Sequence, residues 1–323
     1  MKEQFFLRMR EPSWRSFESL LSGGRQKKSS YHCFPEILRE ISSDLCTAQA
    51  NGFDPAITER LNRLLMDGNQ ILYKHNSFPL KEASVFVFKT FPRSIRSLWK
   101  PVAACHLLFY GIVFFFTLIC VRFPDLQSYI VPEKQKHDLL SMYDPSSEYF
   151  LKPREVETDA DMFGFYIYNN ISIAFRTFAG GIFFGLGSLF FLVYNAVFLG
   201  ACAGLVIDAG FSQTFFQFIF AHSPFELTGI ILSAAAGLIL GYNIFRTKGL
   251  TRGDSLRRAG KTVSPIIAGS ACMIAVAAVI EAFWSSRHEI APVWHYVSGI
   301  AGWSLLAVYV TLSGRWKTAR GGL

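Results

Sequence analysis

Hydrophobic residues recur along this chain in two rhythms, and the rhythm changes near residue 100. Before that point they return every three or four positions with polar residues between them, the pattern of helices with one buried face. Residues PSWRSFESLL set Trp14, Phe17, Leu20 and Leu21 at helical spacing, with Pro12 near the start of the segment. FPEILREISSDLCTAQA carries Ile37, Leu38, Ile41 and Leu45 on one stripe and stops at Asn51-Gly52. PAITERLNRLLMDGNQILYKH, opening at Asp54-Pro55, repeats the pattern with Ile57, Leu61, Leu64, Leu65, Ile71 and Leu72. GGRQKKSS, between the first two segments, is a loop by composition. SVFVFKTFPRSIRSLWK then mixes basic residues with Phe and Trp, an amphipathic run suited to lie along a membrane surface.

After residue 100 the apolar stretches reach membrane length, about 20 residues. Candidate spans are 101–121, 170–194, 225–245, 263–284 and 293–312. Lys89, Arg93, Arg96 and Lys100 precede the first, which places the N-terminal segment in the cytoplasm. The loop 246–262 holds Arg246, Lys248, Arg252, Arg257, Arg258 and Lys261, and Arg315, Lys317 and Arg320 follow the last span, so both belong on the same side. Residues 122–169 carry 5 Lys/Arg against 9 Asp/Glu and face outward. An even number of crossings must therefore lie between 169 and about 224. Since 170–194 crosses once, NAVFLGACAGLVIDAGFSQTFFQFIF must cross back, broken near Asp208-Ala209-Gly210. Six spans result, whereas two re-entrant segments would leave four. The expected fold class is all-α: a polytopic helical membrane protein of about six spans over residues 101–323, with an N-terminal cytoplasmic helical domain over residues 1–100.

Composition agrees with that division. The chain of 323 residues is 51% hydrophobic, holds 32 Phe and is only 17% charged, where a soluble domain has about 25% charged residues. Its first hundred residues contain 16 Lys/Arg against 10 Asp/Glu. Much of the net charge of +8 sits in segments kept in the cytoplasm by the positive-inside rule, so it calls for no nucleic-acid partner. MKEQFFLRMREPSW lacks the apolar core of a cleavable signal. Cysteines 33, 46, 105, 120, 202 and 272 show no CxxC spacing and read as free thiols.

Two sets of residues inside the spans stand out. Gly181 and Gly185, and Gly237 and Gly241, are pairs four apart that let helices approach closely, within the chain or between two copies. Arg176, His222, Glu226 and Glu281 are ionisable residues in apolar surroundings, where each charge costs roughly 3 kcal/mol or more. The expected topology brings all four, with Asn170, towards the outer half of the membrane. Ser223-Pro224-Phe225-Glu226 also fits a capping box, with Ser223 as N-cap, Pro224 at the first helical position and Glu226 at the third. Arg176 is expected to pair with Glu226 or Glu281 and hold helices together. His222, Glu226 and Glu281 have the imidazole and carboxylate chemistry of a divalent metal site, although no HExxH motif accompanies them.

At these residues the chain resembles the stage II sporulation protein M family of integral membrane proteins. The resemblance runs through W-x-x-F-E-x-L-L at the N-terminus, LN followed by ILY, NNISIAFRTFAGGIFFGLGS and YNAVFLGACAG. It continues through H-x-x-x-E-L from His222 to Leu227, AAAGLILG, a basic loop ending in AGK, and IEAF from Ile280 to Phe283. Where the family commonly has Gly after the histidine, this chain has Ser223-Pro224. The resemblance implies a multi-span bacterial membrane protein, in a family whose sporulation members act with peptidoglycan hydrolases and whose other members often occur beside MoxR-type ATPases.

The function expected from both readings is non-enzymatic: a membrane scaffold or transporter-like component of a cell-envelope machine in the bacterial cytoplasmic (inner) membrane. Partners would be membrane lipids and other envelope proteins, with a MoxR-type ATPase or a second copy of the chain among the candidates. The alternatives are a metal-dependent intramembrane hydrolase and a proton-coupled permease, each using His222, Glu226 and Glu281. No cofactor is expected unless a divalent metal occupies that trio.

Overall fold

A computed structural model describes residues 3–22, 34–74, 80–147, 156–247 and 249–315. Among the described residues the structure is helical and has no strand. The chain divides into two compact units, residues 1–80 and 81–323.

The first unit contains helices α1 (Glu3–Ser22), α2 (Phe34–Ala50) and α3 (Pro55–Lys74). Helix α1 starts at Glu3 and runs through Pro12, about two turns earlier than the sequence pattern suggests. The GGRQKKSS segment lies outside the described residues. The apolar stripes meet in one core of Phe6, Trp14, Phe17, Ile41, Leu45, Leu61 and Leu64, with Trp14 and Phe17 fully buried. Inside it lies the carboxylate of Asp44, which accepts from Nε of Arg10 at 2.8 Å and from Nε1 of Trp14 at 2.8 Å. Charge and indole N–H are thus both satisfied, the condition for burying a carboxylate. Asp54 Oδ1 accepts from the backbone of Ala56 and fixes the start of α3. Gly52, at φ +63, supplies the left-handed turn that ends α2.

The second unit opens with α4 (Leu80–Val85), a π-helical turn (Phe86–Thr90) and α5 (Phe91–Ser97). Phe91 and Ile95 enter the main core of this unit, which is why the division falls near residue 80 rather than 100. Arg93 Nε and Arg96 Nη2 donate to the carbonyls of Gly314 (2.9 Å) and Ser313 (2.7 Å), placing cations at a helix C-terminus as the helix dipole favours. Next come α6 (Trp99–Arg122), the short α7 (Gln127–Ile130) and α8 (Glu133–Tyr143). The bundle is completed by α9 (Val156–Ala179), α10 (Leu186–Asp208), α11 (Ser212–Phe245), α12 (Arg252–Ile280) and α13 (Pro292–Leu312). A π-helical turn, Glu281–Ser285, extends α12.

Five of these helices are long and apolar enough to cross a membrane: α6, α10, α11, α12 with its extension, and α13. The molecule is an all-α polytopic membrane protein. Helix α9 has the length to cross but a polar start, with Asp159 and Asp161; counted as a sixth crossing, it keeps both termini on one side. The expected second span, 170–194, does not exist as one helix. The chain turns at residues 180–185, where Phe184 (φ 54) and Gly185 (φ 87) adopt left-handed backbone. The turn GGIFFGL is apolar throughout, so hydropathy alone cannot reveal it. The turn packs on α11: a side chain at Gly181 would strike the backbone of Gly237, and one at Gly241 the backbone of Phe184 and Gly185. The four glycines thus meet in pairs within this chain.

Helix α11 is the centre of the bundle: 72% of its apolar window is buried, against 17% for α6 and for α13. At 1.5 Å per residue its 34 residues span about 51 Å, longer than the roughly 30 Å hydrocarbon core. A polar side chain on α11 is therefore enclosed by protein wherever it faces a neighbouring helix.

Candidate functional site

The site forms where α11 passes through Pro224 without stopping. Proline lacks the N–H that would bond to the carbonyl four residues back, Phe220. Ser223 Oγ donates to that carbonyl instead, at 3.3 Å. Ser223-Pro224 is therefore the middle of a helix, and the capping-box expectation is corrected: α11 begins eleven residues before Ser223, at Ser212. Tertiary packing overrides the local signal, because Pro224 faces Gly302 of α13, where a larger residue would crowd the ring.

Continuity through Pro224 places His222 and Glu226 four apart on one helical face. His222 Nε2 lies 3.5 Å from Glu226 Oε2. Glu281 arrives from the π-helical extension of α12, and one ligand-capable atom from each of the three residues lies within 4.8 Å of the others. His222 and Glu281 are buried, and the Glu226 side chain is 17% exposed. The other ring nitrogen of His222, Nδ1, is 3.0 Å from Ser285 Oγ. Ser285 lies one π turn beyond Glu281, so the same irregular turn supplies both groups. Such turns recur at functional sites.

One end of this trio is roofed by aromatic rings. Phe218 stands edge-on to the His222 ring at 5.3 Å, and Tyr143, the last residue of α8, packs against Phe215 and Phe218 at 5.1 and 5.9 Å. Thr214 Oγ1 donates to the Tyr143 carbonyl at 2.6 Å, tying the end of α8 to the start of α11. Burial raises the pKa of the Tyr143 phenol well above the usual value, and the charges of Glu281 and Glu226 add to the shift. The Tyr143 phenol therefore stays neutral.

Asn170 is buried on α9, where its Oδ1 accepts from Asn169 Nδ2 at 2.9 Å. One turn before it, Tyr166 joins the aromatic roof, and one turn after it Ala174 packs on Ile230 and Ile274. Asn170 therefore sits level with the trio, but its hydrogen bond is to its neighbour. Arg176 does not join. It is exposed and makes no ion pair with any described carboxylate. At 100° per residue it lies about 120° round the helix from Asn170, on the face that carries Phe165, Tyr168 and Phe175 outward. The expected pairing of Arg176 with Glu226 or Glu281 is thus corrected: Arg176 faces away from the trio and lies six residues, about 9 Å, beyond the level of Asn170. Sequence reasoning missed Ser285, although its spacing four residues after Glu281 in IEAFWS was visible, and it missed Tyr143 and Phe218, which carry no local signal.

These features define an α-helical membrane protein with an imidazole–carboxylate centre enclosed by its central helices. Residues 105–286 match the model of the family Stage II sporulation protein M, and the chain belongs to that family. The matched region contains the whole trio and Ser285. Residues 4–74 match a second model, Domain of unknown function (DUF8413). No curated protein and no solved structure matches the chain.

Proposed function

We propose that this chain is a transporter-like, non-enzymatic component of a bacterial cell-envelope machine, held in the cytoplasmic membrane with both termini inside. The buried trio His222–Glu226–Glu281 supports this reading. Each ionisable group in a membrane interior costs roughly 3 kcal/mol or more when charged, a penalty that a passive scaffold has no reason to carry. Enclosure beneath the end of α8 suits a site that opens when the segment around Tyr143 moves. The N-terminal three-helix unit offers a soluble body to which a partner protein docks. One observation favours a second reading: one nitrogen and two carboxylate donors meet in a largely buried site, as in three-ligand catalytic metal centres. That arrangement would serve a metal-dependent intramembrane hydrolase.

The test is genetic. In a strain lacking the gene, Glu226→Gln and Glu281→Gln should accumulate in the membrane at wild-type levels yet fail to restore envelope integrity. Arg176→Gln, away from the trio, should restore it. Full rescue by the Glu226→Gln/Glu281→Gln double variant would show that the trio has only a packing role.

A further inference from the structure

We propose that His222, Glu226 and Glu281 bind one first-row divalent cation of the zinc class. The proposal deepens the reading of the trio as the working centre and rests on it.

Spacing comes first. Two ligands each about 2.1 Å from one tetrahedral ion stand about 3.4 Å apart. His222 Nε2 and Glu226 Oε2 are 3.5 Å apart. One Glu281 oxygen lies within 4.8 Å of a ring nitrogen of His222 and of a carboxylate oxygen of Glu226, and the terminal torsion of a glutamate is soft enough to bring it closer.

The second argument is orientation. An imidazole that binds metal through one nitrogen usually gives the N–H of the other to a fixed acceptor, which sets the tautomer. Ser285 Oγ occupies that position, 3.0 Å from Nδ1. With the proton on Nδ1, the lone pair is left on Nε2, the nitrogen 3.5 Å from the Glu226 carboxylate.

Charge and donor type then select the ligand. Two carboxylates and a neutral imidazole carry two negative charges, which one divalent ion balances. A mixed nitrogen and oxygen set of three suits zinc, iron(II), nickel or manganese better than calcium or magnesium, which favour larger all-oxygen shells. Three protein ligands leave a fourth coordination position open.

The experiment uses the full chain purified in detergent. Metal content per chain is measured after desalting. The protein is then stripped with a chelator and titrated with Zn²⁺, and separately with Co²⁺, whose visible absorption reports its ligand field. One equivalent of divalent metal should be retained, and Co²⁺ should give a tetrahedral spectrum that Zn²⁺ abolishes. His222→Ala and Glu281→Gln should lose stoichiometric binding. Ser285→Ala, which leaves all three ligands in place, should weaken affinity about 10–100-fold, and it covers the case in which the ligand variants fail to fold. Equal binding by wild type and Ser285→Ala together with His222→Ala, or no stoichiometric binding by wild type, overturns the proposal. Rescue asks whether the trio works and metal content asks what it holds, so the two readings fail separately.

Discussion

Replacing Arg287 by Met should destabilise the membrane unit by leaving a buried carboxylate unpaired. Asp159, near the start of α9, is fully buried, and its Oδ2 is 2.6 Å from Nη2 of Arg287, in the turn between α12 and α13. The other oxygen, Oδ1, has no hydrogen-bond partner among the described residues. Removing the arginine strands this carboxylate, and breaking a buried pair from one side costs about 3–5 kcal/mol. Arg287 is 30% exposed, so water can reach the vacated position and the low end, about 3 kcal/mol, applies. At about 2–4 °C per kcal/mol for a unit of this size, the melting temperature should fall by about 6–12 °C. Adding Asp159→Asn removes the stranded charge, so the double variant should return to within about 3 °C of wild type. Thermal unfolding in detergent can be followed with a thiol-reactive dye, because Cys105, Cys120 and Cys202 are free and buried and become reactive as the bundle opens. Exposed Cys46 and Cys272 set the background. A single variant that melts within about 2 °C of wild type, or a double variant as unstable as the single, would refute the reasoning.

Two further outcomes follow from the same structure. Gly237→Ala should lower stability by about 1–3 kcal/mol, because its methyl group would press on Ser188 and the Phe178 carbonyl; Gly111→Ala, with open space around it, should be neutral or stabilising by up to about 1 kcal/mol. If the two melt alike, the contact of α11 with the end of α9 and the start of α10 is not tight. Membrane orientation is tested by single cysteines in intact cells: one at Lys134 should react with an impermeant thiol reagent and one at Arg252 should not, and the opposite pattern would invert the topology.

The fold class was legible because two physical signals are strong and local. Stripes at helical spacing marked Trp14, Phe17, Ile41, Leu45, Leu61 and Leu64, and all six are buried in the core of the first unit. Long apolar runs marked the membrane helices. What the runs could not show was where they turn. The break at 180–185 is built from Gly, Ile and Phe, so hydropathy passes through it unchanged, and only the left-handed backbone at Phe184 and Gly185 divides α9 from α10. The turn at 209–211 was easier to see, since Asp208 and Gly210 interrupt the run.

The candidate site shows the same division between depth and direction. Counting residues along helices gives height in the bundle, and height alone suggested that Arg176, His222, Glu226 and Glu281 could meet. The structure corrects both: six residues of α9 carry Arg176 about 9 Å past the level of Asn170 and turn it about 120° away from the buried side. For His222 and Glu226 the difficulty was the reverse. Their spacing of four is right for a shared face, but Ser223-Pro224 read as a helix start and seemed to separate them. Whether such a pair begins a helix or lies within one depends on whether the Phe220 carbonyl, left without the amide of Pro224, finds another donor. Ser223 supplies one from its own hydroxyl, and Gly302 gives the ring room on α13. The serine that looked like a cap is therefore what lets α11 continue, and that continuity sets the imidazole and the carboxylate side by side.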